Sequence, residues 1–305
     1  MLQPLKRLFA GLVLVVLLMP LTVQAQGSAQ GAIVVANRAT GTISVIDVAT
    51  DQVIHTVALP GAQPPEPMYV VYVKVHKRLF VGDRANDQVA VFDAKDYSLI
   101  GTVPTGAGIF HMWADPNGKQ LWVNNDSDNT ATVIDPRTLD VLATVPMPAA
   151  IIAAGGKPHD VILDPKARAA FVTFVGVAGP NDRVVKFDTD TFQAVAQAAV
   201  GKDPHLSLTK HSDLLYVPAQ NSNTVTVLER ETLMVVTDIA VMGAHGAGMR
   251  DDGAIFYTTN LPGGGVGGLV TIDTGSNSVL GTTDTPLAVP HNIALTKKGE
   301  KLYVT

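Results

Sequence analysis

The 305-residue sequence predicts an all-β fold, a β-propeller of four-stranded antiparallel blades. Three observations carry that prediction. Short runs rich in Val, Ile, Thr and aromatic residues alternate with clusters of Gly, Pro, Asn and Asp, which is the pattern of strands and tight turns. No long stretch has the apolar spacing of an amphipathic helix. The chain also repeats itself at roughly 40 to 50 residues, the length of one propeller blade.

The first 25 residues stand apart from the repeat. Lys6 and Arg7 form a short basic head, and Leu8 to Met19 is an almost unbroken apolar run. Pro20 breaks the run, and Val23-Gln24-Ala25 offers small residues for cleavage. This reads as a secretory signal peptide cleaved after Ala25, with residues 26–305 as a single propeller domain. The run is short for a membrane span, which needs about 20 residues. The expected product is a periplasmic or secreted protein with no membrane span after cleavage. Losing Lys6 and Arg7 leaves 20 of the 22 basic residues against 27 acidic ones, a net charge of −7. That acidity argues against a nucleic-acid partner.

Three anchors define the repeat. The first is an aromatic strand after a turn: Leu79-Phe80-Val81, Leu121-Trp122-Val123, Ala170-Phe171-Val172, Leu215-Tyr216-Val217, Phe256-Tyr257-Thr258 and Leu302-Tyr303-Val304. The second is a strand ending on an acid: Asp47, Asp93, Asp135, Asp188, Glu229 and Asp273. Such an acid bonds the backbone ahead of it, so it is read as turn chemistry and not catalysis. The third is the outer strand that follows, as at Gln52-Val53-Ile54. Residues 31–60 supply three strands, and the segments 67–104, 110–147, 158–200, 204–241 and 244–283 supply four each. Residues 290–305 supply an inner strand and the start of the next. The expectation is a seven-bladed ring whose last blade lacks its closing strands at the C-terminus. A six-bladed ring, with 290–297 completing the first blade, is the alternative.

The phrases PHDVILDPKARAAFVT (158–173) and PHNIALTKKGEKLYVT (290–305), with the DPNGK turn at 115–119, resemble the YVTN-type β-propeller repeat family. The resemblance covers everything after the leader. It implies the fold, while leaving the activity open, because related propellers include lactonases and quinoprotein subunits.

One feature carries candidate chemistry. His159, His205, His245 and His291 all fall at the start of an inner strand. The equivalent place holds Met68 in the second blade and Phe110 in the third, with His111 one residue later. Equivalent positions of successive blades form a ring about the axis, so His111, His159, His205, His245, His291 and Met68 are expected to converge on the channel. With cysteine absent, histidine and methionine are the soft donor types left to the chain, and such a set suits copper or zinc. The ring is similar to the propeller of nitrous oxide reductase, which holds a copper–sulfide cluster; fewer histidines are present here. Histidines copied from one ancestral Pro-His, bonding neighbouring blades or water, are the alternative reading, and an organic or anionic ligand site is a third.

The lack of cysteine excludes disulfides, thiolate-bound zinc, iron–sulfur clusters, CxxCH haem and a cysteine nucleophile. Lys157, Lys202, Arg84, Arg183 and Arg250 are candidates for an anion-binding rim or for solvated surface charge, and Trp113 and Trp122 are read as core. The leading expectation is a binding or scaffold protein that takes a small ligand or an exported protein partner on its top face. Its alternatives are a copper-dependent periplasmic oxidoreductase and a lactonase-type hydrolase.

Overall fold

A computed structural model describes residues 31–296 and 299–305. The leader expected over residues 1–25 lies outside the described residues. Blade one contains β1 (Ala32–Asn37), β2 (Thr42–Asp47) and β3 (Gln52–Ala58). Blade two contains β4 (Pro67–Val73), β5 (Arg78–Asp83), β6 (Gln88–Asp93) and β7 (Leu99–Pro104). Blade three contains β8 (Ile109–Ala114), β9 (Leu121–Asn125), β10 (Thr130–Ile134) and β11 (Val141–Pro146). A short α1 (Ala149–Ala153) leads into blade four, with β12 (Lys157–Leu163), β13 (Ala169–Val175), β14 (Asp182–Asp188) and β15 (Ala194–Val200). Blade five contains β16 (Ser207–Leu208), β17 (Leu214–Ala219), β18 (Thr224–Glu229) and β19 (Val235–Ala240). Blade six contains β20 (Ala244–Met249), β21 (Ile255–Asn260), β22 (Leu269–Asp273) and β23 (Ser278–Thr283). Finally, β24 (Ile293–Leu295) and β25 (Leu302–Val304) pair as a separate two-stranded sheet, the seventh blade position.

The chain is therefore an all-β propeller of six blades and a partial seventh. The six-bladed alternative fails because β24 pairs with β25 and not with β1 of blade one. Blade seven instead meets blade one through side chains: Lys301 Nζ donates to the Val48 carbonyl and pairs with Asp51, and the Tyr303 hydroxyl donates to Asp51 at 2.6 Å.

In blades two to five the second and third strands are largely buried on both faces, which explains their near-continuous apolar runs. The core consists of layers between blades. One layer packs Trp122 and Val133 of blade three on Val161, Phe174 and Phe187 of blade four. The next packs Phe171 and Val184 of blade four on Leu215, Val217 and Leu228 of blade five. Trp122 is fully buried as expected, but Trp113 is 46% exposed. It stands across the ladder from Trp122 on a strand that borders the central channel, so its ring faces the opening.

The acid-ended turns behave as the sequence predicts. Asp47 Oδ1 accepts from the Ala49 and Thr50 N–H groups and the Thr50 hydroxyl, and Asp188 repeats this at Thr191. Four residues after each acid the backbone turns left-handed, at Asp51, Tyr97, Leu139, Phe192, Leu233 and Asn277. A side chain there costs about 1 kcal/mol. In blade five, the fully buried Tyr216 reaches across to blade six, where its hydroxyl donates to Asn277 Oδ1 at 2.7 Å. Tyr216→Phe is expected to lower stability by about 1 kcal/mol, the worth of one such bond. Urea unfolding checks this, and an unchanged midpoint would refute a blade-locking role.

Candidate functional site

The histidines reach the channel because the inner strands are irregular at one place. Pairing with the second strand skips two residues at Met68-Tyr69, Phe110-His111, His159-Asp160 and His245-Gly246. In blade five, His205-Leu206 falls between the isolated Pro204 bridge and the Ser207 pair. A bulge of this kind re-aims side chains that a regular ladder would hold in register. Neighbouring polar groups take up the freed backbone. Thr173 Oγ1 accepts from the Asp160 N–H and Thr259 Oγ1 from the Gly246 N–H. Asn124 donates to the His159 and Asp160 carbonyls of the next blade.

The five expected histidines form an arc. Ring centroids are 5.1 Å apart for His111–His159, 4.6 Å for His159–His205, 4.0 Å for His205–His245 and 4.5 Å for His245–His291. Tyr69 stacks on His111 at 3.8 Å, and Phe110 on His159 at 4.9 Å. Nε2 atoms of His245 and His291 share a hydrogen bond of 3.0 Å. Met68 does not join the arc as a ring, but lines the axial cavity beside Tyr69.

Two residues the histidine pattern did not reveal are Asp160 and Asp203. Asp160 occupies the same bulge place as His111 in the neighbouring blade, so the two side chains meet. Asp160 Oδ1 accepts from His111 Nδ1 at 2.8 Å, and Oδ2 stands 3.7 Å from His205 Nδ1. Main-chain N–H groups of Val161 and Leu206 also donate to this carboxylate. Two groups of three candidate ligands, each with its donor atoms within 4.8 Å of one another, occur among the described residues: His111–Asp160–His205 and His159–Asp203–His205. Neither consists of three histidines. The available signal was the acid beside each histidine, in PHD at 158–160 and DPH at 203–205.

Burial sets the protonation states. It pushes His111 and His159 below the usual imidazole range, and His245 far below it, with neighbouring imidazoles adding to the effect at His159 and His245. His291 is pushed down to about 4, again mainly by burial. Burial alone would raise Asp160, but His111 and His205 outweigh it and hold the carboxyl well below the ordinary value. Burial raises Asp203. Burial thus favours the neutral form of His111, His159, His245 and His291 at neutral pH, while Asp160 is held as a carboxylate. Nε2 of His111 and of His205 and Nδ1 of His245 are buried without a hydrogen-bond partner.

Below this arc lies an axial cavity of about 280 Å³. His111, Asp160, His205 and Asn292 form its polar part, and Ile33, Val35, Val161, Leu206 and Ile293 its apolar wall. The basic residues do not form a free rim. Arg84 makes a two-pronged contact with Asp126, Lys202 pairs with Asp182 at 3.0 Å, Arg250 pairs with Asp252, and Lys157 bonds Asn129. Arg183 bonds the Asp182 carbonyl. The Arg84, Lys202 and Lys157 contacts are struts between neighbouring loops, whereas those of Arg250 and Arg183 are local to their own turns.

Comparison with known proteins agrees with this architecture. No curated protein matches the sequence. Among solved structures, hydrazine synthase of Kuenenia stuttgartiensis superposes with a TM-score of 0.73 at 15% identity, over 90% of this chain and 88% of that one. At that identity the likeness speaks for the fold alone. The sequence profile described as "Lactonase, 7-bladed beta-propeller" matches residues 20–239, well over half of the chain. The chain belongs to this lactonase family of seven-bladed β-propellers.

Proposed function

We propose that the protein is an exported binding propeller whose axial cavity holds a divalent transition-metal ion on His111, Asp160 and His205. The observation that supports this is the meeting of two imidazoles and a carboxylate, all buried, at the polar end of a cavity. Bonds of about 2.0–2.2 Å to one ion would set neighbouring donor atoms roughly 2.9–3.5 Å apart. His111 Nδ1 lies 2.8 Å from one Asp160 oxygen and His205 Nδ1 3.7 Å from the other, so a small closure would reach that spacing, with the ion replacing the ring proton that His111 now gives to Asp160. Ligation also needs deprotonated donors. Burial favours the neutral form of His111, and Asp160 is held anionic. A mixed nitrogen and oxygen set of this kind suits zinc, copper or iron(II).

The test is the metal content of purified protein after loading with Zn²⁺ or Cu²⁺ and dialysis. At least one equivalent should remain in the wild type. His111→Ala and His205→Ala should weaken binding by more than the roughly 10–100-fold that loss of an outer partner costs. Folded wild-type protein that retains neither metal refutes the proposal.

Family membership supports a second reading, the opening of a lactone in the same cavity. Water would add to the lactone carbonyl, the neutral imidazole of His111 would take its proton, and the ring oxygen would leave as a hydroxyl after receiving that proton. Proton release from γ- and δ-lactones, with and without bound metal, measures this directly. Opening no faster than in buffer removes the hydrolase reading and leaves the metal site standing.

A further inference from the structure

We propose that His205 serves two metal ions, one on each side of its ring: the cavity ion shared with His111 and Asp160, and a second held by His159 and Asp203. This rests on the metal reading of the cavity site and extends it to a dinuclear centre in which His205 bridges as an imidazolate, its remaining ring proton passing to solvent as the second ion binds.

Both groups of ligands contain His205. The two nitrogens of an imidazole diverge, so one ring reaches two ions only by spending one nitrogen on each. Here Nδ1 of His205 faces Asp160, while its Nε2 is buried with no hydrogen-bond partner. With bonds of about 2 Å at each nitrogen, the ions would stand about 6 Å apart. The cavity wall includes His111, Asp160 and His205, whereas His159 and Asp203 are not part of it. The second position therefore lies beyond the ring as seen from the cavity.

Asp203 is suited to a cation. Its backbone is left-handed at φ 62°, and its N–H is tied to Asp182 Oδ2 at 2.9 Å. Asp182 is itself fixed by Lys202 and by the Val177 N–H. The Asp203 side chain thus projects from a braced loop, and its carboxylate accepts no hydrogen bond from the described residues. Each ion would then have its own carboxylate, Asp160 on one side and Asp203 on the other, with His205 between them.

Copper(II) titration of the full-length protein, followed by electron paramagnetic resonance, tests this. Two equivalents should bind. At two equivalents the integrated signal should fall well below two spins per protein, because a bridging imidazolate couples the two unpaired electrons. Asp203→Asn should bind one equivalent and give one full spin, and it should fold as the wild type does. Binding of one equivalent by the wild type overturns the second ion and leaves the cavity site intact. Two uncoupled equivalents, or a second equivalent indifferent to Asp203→Asn, also overturn it, as an adventitious surface site. No copper at all refutes the cavity site and the bridge together.

Discussion

Replacing Asp160 by alanine should destabilise the metal-free protein by about 3–5 kcal/mol, the range seen when a buried polar network loses its central partner. Asp160 is where three blades meet. It accepts from the Val161 N–H at 2.7 Å within its own blade, from His111 of blade three at 2.8 Å, and from the Leu206 N–H of blade five at 2.9 Å. Alanine would leave all three donors buried and unpaired, at about 1–3 kcal/mol each before relaxation. Asp160→Asn keeps one acceptor oxygen and should cost less, about 2 kcal/mol. Asparagine has no charge to offer a cation, so this variant should fold yet lose the cavity metal. Urea-unfolding midpoints with and without Zn²⁺ separate the two effects. Equal midpoints for wild type and Asp160→Ala would show that the carboxylate braces nothing.

Mild acid should unfold the metal-free protein. Burial depresses His159 and His245 in the folded state, while the unfolded chain titrates them near the ordinary value of about 6.5. Below that pH the unfolded state binds more protons, so stability is complete above about pH 6.5 and falls as the pH drops. Each excluded proton contributes about 1.4 kcal/mol per pH unit, so these two groups together give a slope of about 2.7 kcal/mol per unit. His291 adds to the loss between about 6.5 and its folded value of about 4. Asp160, also depressed, joins only below the ordinary carboxylate range. Asp203 is raised and opposes the trend just above the ordinary carboxylate range, where the folded state takes up its proton first. Melting temperatures at pH 7.5, 6.5 and 5.5 check the slope. A flat profile would mean that the imidazoles can be charged where they stand.

Much of the architecture was legible because repetition is written in residue type. The aromatic strands, the acid-ended turns and the three-strand start of blade one all appear where the pattern placed them. The seventh-blade position was also legible, since residues 290–305 begin with an inner-strand phrase. Trp113 was misread because the inner strand borders the open channel, so a ring on the same sheet face as the buried Trp122 is left half exposed. The basic rim dissolved for a different reason. Arg84 and Lys202 have acidic partners 42 and 20 residues away, a pairing set by blade-to-blade contact.

The sequence by itself determined that five histidines would share one end of the channel, because equal places in a repeat become equal places around an axis. It did not determine what they would meet there. That depended on the bulge in the inner strands of blades two to six, which skips two residues and so exposes a second ring of positions one residue later. Tyr69, His111 and Asp160 occupy this second ring, and only folding brings a histidine of blade three onto an aspartate of blade four. Asp203 likewise reaches His205 through a left-handed turn braced by Asp182. Repetition places residues on a circle, whereas the contacts around that circle are made between blades distant in sequence and are decided by packing.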